Sequence, residues 1–136
     1  MADSLKILIV EDEPDLVGSL KSNLETHGYG VLTTADGITA LEMARKEIPN
    51  IILLDLMLPG LDGYHFLKLL KSDERYRQIP ILVITARADA QDLTLAMECG
   101  ANECLVKPLE FNVLISRIRS LLSEGVHLKV SPKETF

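Results

Sequence analysis

The sequence predicts an α/β fold: a doubly wound, five-stranded parallel sheet in the order 2-1-3-4-5 with five helices. Three observations predict it. Short apolar runs rich in β-branched residues alternate with longer stretches whose apolar residues recur at helical spacing. The short runs are continuously apolar, Ile51-Ile52-Leu53-Leu54 above all, as befits strands covered on both faces. Each connection is short, so consecutive elements are neighbours in space.

Lys6 to Val10 is the first strand and ends on acids, Glu11-Asp12-Glu13. Pro14 suits the first turn of a helix, and Leu16, Val17, Leu20 and Leu24 carry that helix to a stop near His27-Gly28. Val31 to Ala35 is a weaker strand, and Asp36-Gly37 turns into a second helix carrying Leu41 and Ala44. The third strand, Ile51 to Leu54, delivers Asp55 where the chain leaves the sheet. Pro59, Gly60 and Gly63 then make a shaped loop rather than a helix start. A third helix is predicted over Tyr64–Ser72, with Phe66, Leu67 and Leu70 as its apolar stripe. Pro80 precedes a fourth strand, Ile81 to Ile84, which ends on Thr85. The fourth helix, Ala90–Cys99, stops at Gly100; Ala90, Leu93, Ala96 and Met97 form one stripe, with Leu95 on the other side. Cys104 to Val106 is a short fifth strand ending at Lys107-Pro108. Phe111, Leu114, Ile115, Ile118, Leu121 and Leu122 mark the core stripe of a long final helix, with Val113 pointing away. After Ser123, Val126, Leu128 and Val130 alternate with His127, Lys129 and Ser131, either a fraying end or the first strand of something further. The expected organisation is one domain over 1–123 and, over 124–136, a C-terminal tail or the start of a linker or effector domain.

The totals narrow the function. With 136 residues, 47% apolar and 25% charged, the chain reads as one soluble domain. A net charge of -6 without a basic cluster argues against direct nucleic-acid binding. The opening Met-Ala-Asp-Ser lacks the flank of a signal peptide, and no apolar run reaches membrane length. Cys99 and Cys104 fit neither a metal pattern nor a redox pair and read as reduced thiols of a cytoplasmic protein. His27, His65 and His127 have no partner at ligand spacing.

Chemistry converges at the carboxyl ends of the strands, where an open α/β sheet places its site. Asp55 alone reads equally well as a turn cap. The predicted strand order, however, brings Glu11, Asp12, Asp55, Thr85 and Lys107 to one place. Three carboxylates so close need a counter-charge. A hard divalent cation on oxygen ligands supplies it, and Mg²⁺ fits because it takes few protein ligands and keeps waters. Acid, metal, ammonium and hydroxyl are together what a transferring phosphoryl group needs around it.

The chain resembles the receiver domains of two-component response regulators, with a CheY-like fold, over about Leu5 to Leu122. The resemblance is carried by Ile9-Val10-Glu11-Asp12-Glu13-Pro14, by Leu53-Leu54-Asp55-Leu56-Met57-Leu58-Pro59-Gly60-Leu61-Asp62-Gly63, by Thr85-Ala86-Arg87 and by Lys107-Pro108. It implies that Asp55 is the phosphoacceptor, taking phosphate from a sensor histidine kinase or phosphotransfer protein. It further implies that Glu11, Asp12, Asp55 and the Met57 backbone carbonyl hold Mg²⁺, that Thr85 and Lys107 bind the phosphoryl oxygens, and that Lys107-Pro108 is cis. Such a domain is a signalling phosphoacceptor and not an enzyme acting on a separate substrate. The Glu11-Asp12 pair and Thr85-Ala86-Arg87 lean toward the DNA-binding, transcription-regulating branch. One departure stands out: receivers carry Tyr or Phe where this chain has Cys104.

Two rivals compete with that reading. A haloacid-dehalogenase-like phosphatase also uses a strand-end Asp, but wants a second Asp two residues on, where this chain has Met57. A receiver-shaped module that never takes phosphate would normally lose an acid or the Lys, and none is lost. The expected output face is helix four, strand five and helix five, with Leu95 and Val113 outward and Glu103 and Arg117 as a charged pair, a face for homodimerisation or a partner.

Overall fold

The computed structural model describes residues 5–86 and 89–130, of which 124–130 are described by backbone alone. The strands are β1 (Lys6–Val10), β2 (Gly30–Thr34), β3 (Ile51–Asp55), β4 (Ile81–Thr85) and β5 (Glu103–Val106). The helices are α1 (Pro14–Thr26), α2 (Gly37–Glu47), α3 (Gly63–Lys71), α4 (Ala90–Cys99) and α5 (Phe111–Val130). All strand pairs are parallel, in the order β2-β1-β3-β4-β5. The expected fold is the observed one.

The core follows from the period of a strand. Successive side chains point to opposite faces, so Leu8, Val10, Ile52, Leu54, Ile81 and Val83 pack toward α2, α3 and α4. Ile7, Ile9, Ile51, Leu53, Leu82 and Ile84 pack on the other face with Leu20 and Leu24 of α1 and Leu114, Ile115, Ile118 and Leu121 of α5. The central strands are fully buried, and each such Ile or Leu stabilises the fold by about 1.5–3 kcal/mol. Helix starts are set by short acids: Asp36 accepts from Thr39 N at 3.0 Å, Asp62 from Tyr64 N at 2.7 Å and Asp89 from Gln91 N at 3.1 Å. Gly100, at φ 119°, ends α4 in the left-handed region that a Cβ disfavours.

The structure departs from expectation on α4, and in the tail, where the sequence leaves a fraying end or a strand open, it extends the last helix. Ala90 and Met97, expected on the apolar stripe of α4, are exposed; Ala96 and Cys99 are buried and Leu93 is half-buried. The small Ala96 and Cys99 let the helix sit close on the sheet, which turns Met97 outward to 46% exposure. Beyond Ser123 the chain continues α5 to Val130 instead of forming a strand. A lone strand leaves its backbone groups unpaired, whereas a helix satisfies them internally. Arg87, the tail side chains including His127, and residues 131–136 lie outside the described residues.

Candidate functional site

The register places the site. Val10 pairs with Leu54, so Glu11 and Asp12 leave β1 beside Asp55 at the end of β3. Asp55 pairs with Ile84, and the next residue, Thr85, closes β4 opposite Val106. Lys107 follows β5, with its amide donating to the Thr85 carbonyl at 2.8 Å and with a cis bond to Pro108. All five polar residues picked out in the sequence thus stand at the carboxyl end of the sheet.

Lys107 is the hub. Its Nζ lies 2.9 Å from Glu11 Oε1 and 3.2 Å from Asp55 Oδ2. The other Asp55 oxygen, Oδ1, accepts the Met57 amide at 3.0 Å, and Glu11 Oε2 accepts the Glu13 amide at 3.1 Å. Asp55 and Glu11 are buried, Thr85 wholly so. Burial pushes the Glu11 carboxyl above its ordinary range, and the Asp55 charge adds to this, while the Lys107 bond opposes both. Burial alone would lower Lys107, but its bond to Glu11 and the charges of Asp55 and Glu11 hold it above its usual value. It is therefore a fixed cation at any physiological pH.

One ammonium does not balance the group. Glu11, Asp12 and Asp55 present carboxylate oxygens within 4.8 Å of one another, Asp12 on the solvent side. Glu11 Oε1 is sealed from solvent and meets Lys107 without a well-directed hydrogen bond, so it keeps lone pairs to offer. An all-oxygen, net-negative cluster with one open side fits a hard divalent cation that retains waters.

Three further contacts near the site are absent from the sequence pattern. The Tyr64 hydroxyl donates to the Asp92 carbonyl at 3.3 Å, tying α3 to α4. Cys104 is half-buried, its Sγ 3.8 Å from Met97 Sδ, and burial raises its thiol. The loop after β3 is held by the start of α2, through the Gly37 amide donating to the Pro59 carbonyl at 3.2 Å. The first and third join residues more than twenty positions apart, the second two neighbouring elements, and no local spacing signals them.

Comparison with known proteins agrees with this geometry. Residues 7–119 match the family described as the response regulator receiver domain. The response regulator PleD of Caulobacter vibrioides is 42% identical over 118 residues, 87% of this chain and 26% of that protein. The transcriptional regulatory protein CseB of Streptomyces coelicolor is 37% identical over 93% of this chain and 53% of its own length. The chain therefore spans about a quarter to a half of these relatives. Among solved structures, the receiver domain of the sensor histidine kinase PA1611 of Pseudomonas aeruginosa, described with a magnesium ion coordinated in its active site cleft, superposes with a TM-score of 0.82. It is 32% identical over 88% of this chain and 98% of that one. By family match, relatives and fold alike, the chain belongs to the response regulator receiver domains of two-component signalling.

Proposed function

We propose that Asp55 accepts a phosphoryl group from a sensor histidine kinase or phosphotransfer protein, in a reaction that requires Mg²⁺. The observation that carries this reading is Lys107 bridging Glu11 and Asp55 beside a third carboxylate, Asp12. An Asp55 oxygen attacks phosphorus, the bond to the donor nitrogen breaks, and the freed imidazole takes up a proton. Glu11, Asp12, Asp55 and the Met57 carbonyl would hold the cation, which supplies charge neutralisation for the incoming phosphoryl oxygens. Lys107 pairs with one of those oxygens and the Thr85 hydroxyl donates to another. Water later attacks the same phosphorus and Asp55 leaves as carboxylate, so the chain turns over only its own phosphate.

The readout falls on α4, β5 and α5. Leu95 and Val113 are exposed at 43% and 39%, and Val106 joins them at the end of β5, next to Lys107. Glu103 and Arg117 pair within the chain at 2.7 Å, so a homodimer through this face exchanges that pair between protomers. Residues 1–123 form the receiver, and 124–136 are a C-terminal tail or the start of a linker or effector domain.

Acetyl phosphate with Mg²⁺, followed by intact mass, tests the core of this reading. Wild type should gain one phosphate and Asp55→Asn none; a phosphorylated Asp55→Asn variant would remove the assignment. Light scattering with and without beryllofluoride, on wild type and Val113→Lys, tests the face. A wild type that stays monomeric with the mimic would sink the homodimer.

A further inference from the structure

We infer that the amino end of α2 latches the β3–α3 loop and thereby sets the position of the Met57 carbonyl, making Gly60, Gly37 and Asp36 positioning residues for the cation site. The inference rests on the reading of Met57 as a ligand. The loop leaves β3 and is closed at its neck, where the Gly63 amide donates to the Leu56 carbonyl at 3.4 Å. Met57 stands just beyond that neck, with its amide on Asp55 Oδ1 at 3.0 Å. Its carbonyl is therefore aimed by whatever holds the rest of the loop.

The holding is done by α2. The Gly37 amide, an orphan donor at the start of a helix, finds the Pro59 carbonyl at 3.2 Å. A Cβ on Gly37 would come within 2.5 Å of the Leu61 carbonyl oxygen, so helix and loop touch backbone to backbone. Gly60, at φ 89°, sits so close to Asp36 that a Cβ there would overlap Asp36 Oδ1. Asp36 cannot swing aside freely, because its Oδ2 caps α2 through Thr39 N and Thr39 Oγ1, both at 3.0 Å. A side chain at Gly60 must push the loop away from α2, and Met57 lies in that loop between its neck and Pro59.

Gly60→Ala should therefore weaken Mg²⁺ binding by about tenfold or more, as outer supports of metal ligands do when disturbed. Calorimetric titration with Mg²⁺ measures this. In the metal-free protein, hydrogen exchange at the Met57 and Gly37 amides should quicken while that at Leu53, inside β3, stays as it was. Gly28→Ala is the control: Gly28 has φ 93° but no neighbour within 4 Å, so it loses stability from the same backbone strain and keeps wild-type Mg²⁺ affinity. In an Asp36→Ala background, which removes the obstructing carboxylate, Gly60→Ala should cost less affinity than it does alone. If Gly60→Ala fails to fold, Gly37→Ala tests the same contact from the other side. Wild-type affinity in a folded Gly60→Ala or Gly37→Ala protein overturns the latch, as does an equal loss of affinity in Gly28→Ala. A wild type that binds no Mg²⁺ overturns the cation site itself, a separate result.

Discussion

Replacing Asp55 by Asn should stabilise the protein in the absence of metal and shrink the stabilisation that Mg²⁺ brings. Among the described residues Asp55 faces one cation, Lys107 Nζ at 3.2 Å, and two carboxylates, Glu11 and Asp12, with oxygens no further than 4.8 Å. With an effective dielectric of about 20, the attraction is worth about 5 kcal/mol and each repulsion about 3.5 kcal/mol. The two repulsions outweigh the attraction by about 2 kcal/mol, and that is the expected gain for Asp55→Asn in chelator. The amide keeps an oxygen for Lys107 or for the Met57 amide, so no partner is orphaned, and Lys107 retains Glu11 at 2.9 Å. Mg²⁺ at a hundred times its dissociation constant stabilises wild type by about 2.7 kcal/mol, and the variant, missing one ligand, by less. Urea unfolding in chelator and in saturating Mg²⁺ reads both quantities. The variant should lead without metal, and wild type should draw level or pass it with metal. A variant less stable than wild type in chelator would refute the charge balance argued here.

Three further outcomes are expected. Thr85→Ala should still take phosphate on Asp55, but the amide shifts of α4 on phosphorylation should shrink, because the hydroxyl at the end of β4 is what meets the new oxygens; unchanged shifts would exclude that route. Cys104→Tyr should enlarge the phosphorylation response of β5, since the ring replaces a small thiol that meets Met97 Sδ at 3.8 Å; overpacking that unfolds the domain counts against it. Lys71, whose Nζ donates to the carbonyls of Arg77 and Ile79 and to Asn102 Oδ1 at 3.0, 2.7 and 3.1 Å, is lowered by burial from 10.5 to about 8. The unfolded chain therefore binds the extra proton between about pH 8 and 10.5, so this residue's contribution to stability rises with pH across that window. Lys71→Met should cost about 1 kcal/mol near neutrality by removing the donor that the Arg77 and Ile79 carbonyls and Asn102 share, and its deficit relative to wild type should widen as the pH rises from 8 to 10.5; a deficit that narrows would refute the sign.

What the sequence shows of this domain, and what it hides, divides along a physical line. Strands buried on both faces announce themselves, since no alternation is needed where no face meets water. Residues at strand ends inherit their neighbours from the strand order, which is why Glu11, Asp12, Asp55, Thr85 and Lys107 could be assembled before any coordinate. Helix rotation is less visible. On α4 the difference between burying Met97 and burying Cys99 is a turn of the helix by a fraction of its circumference, decided by how closely two small side chains let it approach. Loop-to-helix contacts are invisible. Asp36-Gly37 and Pro59-Gly60 each read as turn chemistry, and nothing in either says that they meet. The alternation of Val126, Leu128 and Val130 misleads for a related reason: period two marks a strand only where a neighbouring strand exists to pair with it.

The distribution of charge ties the site to the face. Lys107 is committed to Glu11 and Asp55 together. A phosphoryl group on Asp55 brings about -1.5 to -2 charges into the same space, and among the described residues the cation that stands beside Asp55 to answer them is this same ammonium. Under the proposed chemistry Lys107 would leave Glu11 for a phosphoryl oxygen, and Glu11 and Asp12 would keep the neutralisation that a bound cation supplies. Lys107 follows Val106 directly, and its amide is fastened to the Thr85 carbonyl at 2.8 Å, so a shift of either residue is felt by the other strand. Val106, Cys104 and Glu103 lie on that strand, and Arg117 of α5 is held to Glu103. Under that chemistry the route from phosphate to surface would run through two strand ends, joined by the hydrogen bond from the Lys107 amide to the Thr85 carbonyl.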